Sequence, residues 1–301
     1  MKQFFCFALI VLLVWATQGC KQSVTTPSFF SDSVSVTEAA AGRLLMDSSK
    51  WRNWWPGIQN AGAQSSPADC QVYIKELLTT GFNAVVYDGT DSAALQLLIR
   101  DNTRATAAAA FEWRINPLTA WNKKKLDTCV QRLHANMKNY FGNQQNIYGR
   151  IIKQELVTDT TLIAVKKSFG TEPGTPEVYG LIDAVRKYIQ EKGGTTRSYP
   201  MLNVYQEAPN KYQVMVGVPT TKSLPGGSQF LLRQLVPGHI LMTEVRGGPA
   251  AIKEAQRQME IYISDHKKSS PAIPYQSLIT DRRAQPDTAQ WITRLYYPVF
   301  F

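Results

Sequence analysis

The chain has 301 residues, 44% of them hydrophobic and 19% charged, with a formal net charge of +10. That balance is globular, with ample material for buried cores, and it excludes a long disordered tail. Four cysteines and three isolated histidines give neither a disulfide framework for a chain this long nor a spacing that suits zinc, so neither metal nor cofactor is expected.

The N-terminus reads as a targeting segment. Lys2 precedes an unbroken apolar run, residues 4–15, and about 12 residues is too short for a spanning helix, which needs about 20. Residues 1–19 are therefore expected to be a signal peptide. Gly19-Cys20 resembles the lipobox of bacterial lipoproteins, although Thr17 and Gln18 stand where a more apolar residue and a small one are usual. The resemblance implies that the Cys20 thiol receives a diacylglycerol and anchors the chain in the bacterial cell envelope. Residues 20–28 would then be a tether. Plain secretion with an incidental thiol is the alternative. With Cys6 removed in the signal and Cys20 at the anchor position, Cys70 and Cys129 remain, and these either pair or stay as buried thiols. The basic surplus is dispersed. Export makes nucleic acid an unexpected partner, and leaves attraction to anionic lipid, to an anionic ligand, or simple solvation.

Residues 29–145 are expected to form a first domain. Val34-Ser35-Val36 alternates as a strand, and Thr37 suits the N-cap of an alanine-rich helix running through Leu44, Leu45 and Met46. Trp51, Trp54 and Trp55 follow, and Pro56 stops the helix. Strand patterns at 72–78, 84–87, 95–100 and 106–115, parted by turn signals, read as an antiparallel meander. From 122 to 140 the period turns helical, with Leu126, Val130, Leu133, Met137 and Tyr140 on one stripe. This order of parts, with the Trp51/Trp54 signature, resembles the START-related helix-grip superfamily of polyketide cyclase and lipid-transport type. The resemblance implies a hydrophobic ligand between the sheet and the long helix. Trp51, Trp54 and Trp55 are open to two roles, core packing or lining such a cavity.

Residues 150–301 are expected to hold a duplicated strand–helix–strand–strand unit. Its first copy reads strand 162–169, helix 176–192 and strands 199–205 and 212–219. The second starts from the glycine turn Val245-Arg246-Gly247-Gly248-Pro249, with a helix to about His266 and strands 273–280 and 291–299. Pro176 and Pro249 suit first helical turns. The mixed patterns of 240–245 and 291–296 suit a concave second face lining a cleft, or an oligomer interface. The segments Val216-Gly217-Val218-Pro219, Leu235-Val236-Pro237-Gly238-His239, Val245 to Gly248 and Leu295 to Val299 resemble the GyrI-like family, the effector-binding domain of AraC- and MerR-type regulators. That resemblance implies two pseudo-symmetric halves enclosing a cleft for small, often aromatic or cationic molecules. Where the family commonly has a glutamate, this chain has Gln276, and an uncharged amide can neither form an ion pair with a cation nor act as a general base.

The expectation is thus an α+β protein: a helix-grip antiparallel sheet followed by a duplicated β-α-β-β domain. Its role would be to bind a small hydrophobic or aromatic ligand without chemistry. Tyr205, Glu244, Tyr262, Gln276 and Trp291 are the candidate ligand-binding residues. The alternatives are a hydrolase or cyclase using Glu244, Tyr262 or Tyr296, and a cell-envelope interaction protein without ligand.

Overall fold

The computed structural model describes residues 27–55, 58–59, 70–88, 91–102, 108–118, 123–157, 160–235 and 237–300. The signal segment, Cys20 and most of the expected tether lie outside the described residues. Two compact units divide between Gly142 and Asn143.

The N-terminal unit runs β1 (Ser28–Val34), α1 (Glu38–Met46), a 3-10 turn (Ser48–Lys50), α2 (Trp51–Trp54), β2 (Ile58–Gln59), β3 (Gln71–Leu78), β4 (Gly81–Asp88), β5 (Asp91–Asp101), β6 (Ala109–Pro117) and α3 (Lys123–Phe141). The sheet order is β1-β6-β5-β4-β3-β2, antiparallel except for the short β2–β3 pair. The first strand lies earlier than its expected place at 34–36. Ser31, Asp32 and Ser33 hide its alternation, yet Phe30, Asp32 and Val34 all face inward. Thr37 caps α1 as expected, its Oγ1 accepting from the Ala40 amide at 3.2 Å.

Of the expected α3 stripe, Leu126, Val130, Leu133 and Met137 are buried, while Tyr140 is only half-buried and Phe141 is fully covered in its place. Phe141 meets Phe111 and Trp54 edge-on, at 5.8 and 5.9 Å between ring centroids. Trp51, Trp54 and Trp55 are all buried, and Trp51 Nε1 donates to the Leu45 carbonyl at 2.8 Å. One polar chain crosses this core. Trp113 Nε1 donates to His134 Nδ1 at 3.1 Å, so the imidazole proton sits on Nε2 and is given to Asp32 Oδ2 at 2.9 Å. Lys138 Nζ donates to the same oxygen at 2.6 Å, and these bonds hold the Asp32 carboxyl down at about 2. Cys70, just before β3, is joined to Cys129 of α3 in a disulfide, with Cα atoms 5.9 Å apart. Of the two states open to these thiols, the structure takes the paired one.

The C-terminal unit begins with α4 (Gln144–Tyr148) and β7 (Lys153–Val157). It continues with β8 (Thr160–Phe169), α5 (Thr175–Glu191), β9 (Met201–Ala208), β10 (Lys211–Pro219), β11 (Leu231–Leu235), β12 (Gly238–Arg246), α6 (Pro249–Asp265), β13 (Tyr275–Leu278) and β14 (Ile292–Pro298). The sheet order is β11-β8-β10-β9-β13-β14-β12-β7. Two copies of β-α-β-β are visible in it, β8-α5-β9-β10 and β12-α6-β13-β14, meeting where β9 pairs with β13.

The copies also exchange strands, which local residue patterns do not reveal. β7 immediately precedes β8 but pairs with β12 of the other copy, and β11 precedes β12 but pairs with β8. Both are short edge strands, Lys-Gln-Glu-Leu-Val and Leu-Leu-Arg-Gln-Leu, and each carries an exposed charge of the kind that discourages further pairing at an edge.

Each helix covers one face of the sheet. Val178, Ile182, Val185 and Ile189 of α5 meet Ile163 of β8 and Val214, Val216 and Val218 of β10, all buried. Each fully buried aliphatic side chain of this kind contributes roughly 1.5–3 kcal/mol. The glycine turn before α6 is required by geometry. Gly247 has φ +132° and a Cβ there would stand 2.8 Å from Ala251 Cβ, while its amide donates to the Trp291 carbonyl at 2.8 Å.

Candidate functional site

Strand alternation decides what faces away from the helices. With Val214, Val216 and Val218 committed to α5, Met215 and Gly217 must lie on the opposite face, and they line a cleft of about 370 Å³. Leu162 of β8, Met201 and Asn203 of β9, Ile240 of β12, Tyr275 of β13 and Pro298 of β14 join them. Val157 of β7 and Leu235 of β11 also reach this cleft although they belong to opposite edges of the sheet. The sheet is therefore curled, its helix-free face concave. Pro271, Ala272 and Ile273, on the connection into β13, close one side. Gly217 keeps the floor open: a Cβ built there would overlap Leu162 Cδ1 and stand 3.9 Å from Met201 Cβ.

The polar groups are few and mostly fixed. Asn203 Nδ2 donates to the Pro274 carbonyl at 2.8 Å, which ties β9 to the closing segment. The Tyr275 ring stacks on Tyr296, with centroids 5.0 Å apart and planes at 17°. Burial is the main reason the Tyr275 phenol is pushed well above its ordinary range, with Tyr296 and Glu155 adding to it. It stays protonated at neutral pH and is a hydrogen-bond donor rather than a base. Arg233 of β11 supplies the one arginine of the lining. No carboxylate, serine or cysteine lines the cleft among the described residues.

The five candidates from the sequence are not gathered in this cleft. Tyr205 lies on β9, in phase with Met201 and Asn203 but further along the strand, and is 61% exposed. Glu244 of β12 is exposed and bound to Arg294, Oε2 to Nε at 3.0 Å. Tyr262 is buried on α6, stacked on His266 at 3.8 Å and meeting Tyr148 edge-on at 5.1 Å. Gln276 shares the parity of Leu278 and so faces the helix side, where its Oε1 accepts from Arg282 Nη2 at 3.4 Å. Trp291 is buried beside it, its Nε1 donating to the Gln285 carbonyl at 2.8 Å and its ring 4.7 Å from the Arg282 guanidinium. Gln276 and Trp291 thus meet through Arg282, on the opposite face from the cleft.

The lining residues the sequence reading passed over, above all Leu162, Met201, Met215 and Gly217, carry a signal only in their phase. They alternate with the helix-facing valines, and finding them requires knowing which face the helix takes.

A second depression, of about 700 Å³, lies where β12 outruns β7. Its lining is polar and includes Arg150, Lys153, Glu244, Arg246, Glu254 and Arg294.

No protein-family model matches the sequence, and no curated protein matches it. Among solved structures, the chain is similar to the C-terminal domain of EcmrR, with 13% identity, 50% of this chain and 98% of that one covered, and a TM-score of 0.43. It is also similar to SAV2435 bound to tetraphenylphosphonium, with 14% identity, 50% and 94% covered and a TM-score of 0.33. The di-domain ARO/CYC BexL of the BE-7585A biosynthetic pathway is similar over more of the chain: 9% identity, 91% and 85% covered, TM-score 0.32. At these scores and identities the likenesses assign neither ligand nor activity.

Proposed function

We propose that this protein is an exported, membrane-tethered binding protein that holds a small apolar or aromatic molecule in the concave cleft of its C-terminal unit. Its role is sequestration, carriage or sensing rather than turnover. The observation that carries this reading is the cleft itself. About 370 Å³ of space falls within the roughly 300–1,000 Å³ of small-molecule sites. The walls are mainly leucine, isoleucine, methionine and proline, with Asn203, Arg233, Gln234, His239 and the stacked Tyr275 as the polar groups. Methionines at 201 and 215 suit a ligand of irregular shape, because the thioether side chain is unbranched and polarisable.

Export and tethering rest on the signal-like run and Gly19-Cys20. The Cys70–Cys129 disulfide supports them, since such bonds persist in oxidising compartments. Native mass spectrometry of protein purified from its source membranes is expected to show a co-purified small molecule. An apolar fluorescent probe should bind the wild-type chain and be excluded by Met215→Trp, which fills the cleft. Equal probe binding by the folded variant would sink the proposal.

A further inference from the structure

The second depression has a charge balance that the cleft lacks. Its walls carry four cationic side chains, Arg150, Lys153, Arg246 and Arg294, and two anionic ones, Glu244 and Glu254. Both carboxylates are already engaged. Glu244 accepts from Arg294 at 3.0 Å. Glu254 accepts from Arg257 at 2.8 and 2.9 Å and from Gln258 at 2.7 Å. Arg246 is bonded to a neutral partner, the Gln290 amide oxygen, at 3.1 Å. Neither Lys153 nor Arg150 forms a salt bridge among the described residues, although Glu254 lies near enough to Arg150 for each charge to favour the other. Arg150 Nε is moreover buried without a hydrogen-bond partner. An unpaired buried donor is costly, more so when it is charged; Arg150 Nε shares this state with five other side-chain atoms of the described residues, and among them it alone belongs to a cation lining the depression.

The backbone adds to this. β7 pairs with β12 only from Gly238 to Met242, whereas β12 continues to Arg246. The edge of β12 from Thr243 onward is thus outside the ladder with β7, and it borders the depression together with Ala251 in the first turn of α6. A helix start favours negative charge.

We infer that this depression is a binding site for a multiply charged anion of the phosphate-ester type, distinct from the apolar cleft. The guanidinium of Arg150 is its central donor, and Lys153 and Arg246 are its flanking cations. The fork of Arg150 suits bidentate phosphate contacts, and Arg294 stays with Glu244 as part of the wall.

Titration calorimetry of the full chain with inorganic pyrophosphate at low ionic strength tests this. The wild-type protein is expected to bind, with sodium chloride of matched ionic strength as the control. Arg150→Gln should weaken binding by about tenfold or more, the loss expected of a charge-assisted pair. Arg150→Lys should recover part of it. Because Arg150 is partly buried, Lys153→Gln/Arg246→Gln, which changes two exposed side chains, serves as the second arm and should also lose about tenfold. Binding of the apolar probe in the cleft should be unchanged in every variant that remains folded. A wild-type chain that gives no pyrophosphate heat beyond the chloride control overturns the inference. So does a folded Lys153→Gln/Arg246→Gln variant that binds pyrophosphate as tightly as wild type.

Discussion

Gly217→Ala isolates the cleft from the rest of the C-terminal unit. The added methyl overlaps Leu162 Cδ1, which is the far end of a flexible side chain and can rotate away. The helix side is closed to it by Val216 and Val218, both fully buried, so the displaced methyl goes into the cleft alongside the new Cβ. A ligand filling that space forgoes contact worth about two methylene groups. At about 0.8 kcal/mol each this is roughly 1.6 kcal/mol, or about fifteenfold weaker binding. Stability moves less, because overpacking at a yielding site is offset by the roughly 0.5–1 kcal/mol that a strand glycine costs relative to alanine. Displacement of a bound apolar fluorophore, followed beside thermal melting, reads the two effects separately. If Gly217→Ala binds the fluorophore as tightly as wild type while melting normally, the helix-free face is not the binding face.

Gly180→Ala is the matched control. Gly180 is exposed within α5 and a Cβ there meets nothing within 4 Å. It should stabilise the unit by about 1 kcal/mol, about 2–4 °C in melting temperature, with fluorophore binding unchanged. Reducing the Cys70–Cys129 bond frees a loop of sequence separation 59. On chain-entropy grounds it should cost the N-terminal unit about 4 kcal/mol, measured as a lower denaturant midpoint by tryptophan fluorescence. The carboxyl of Asp32 is depressed to about 2, first by its bond to Lys138 and then by that to His134. Its contribution is present above the unfolded carboxylate value near 4, and is lost as pH falls from about 4 toward 2. Asp32 is partly exposed, so the effect is modest. Asp32→Asn should flatten that acid limb in a pH series of melting temperatures, and an unchanged limb would show that the polar chain through His134 does not contribute.

Much of the architecture was legible in the chain. The α3 stripe, the Thr37 cap, the meander and the two proline-started helices all follow from local periodicity, whose signal is repeated over many residues. The duplicated unit was legible for the same reason. Strand β1 was misplaced because its ladder with β6 runs through a Ser-Asp-Ser stretch whose side chains say little about strand. The candidate site fared differently. Glu244, Gln276 and Trp291 are chemically suggestive residues, but their neighbours are long-range: Arg294, Arg282 and the Gln285 carbonyl. Tyr262 is suggestive as a phenol, and its ring is spent on packing with Tyr148 and His266.

The α+β class, the glycine turn at Gly247 and the alternation that separates one strand face from the other can be read from the amino acids alone. Those depend on backbone sterics and on side-chain period, which are local. The exchange of β7 and β11, the curl of the sheet toward its helix-free face, and the lining of the cleft by Met215 and Gly217 rather than by the charged and aromatic candidates emerge once distant strands pair. Strand exchange and curvature arise from pairing between segments far apart in the chain, and a period of two gives each residue a face without saying which face is covered.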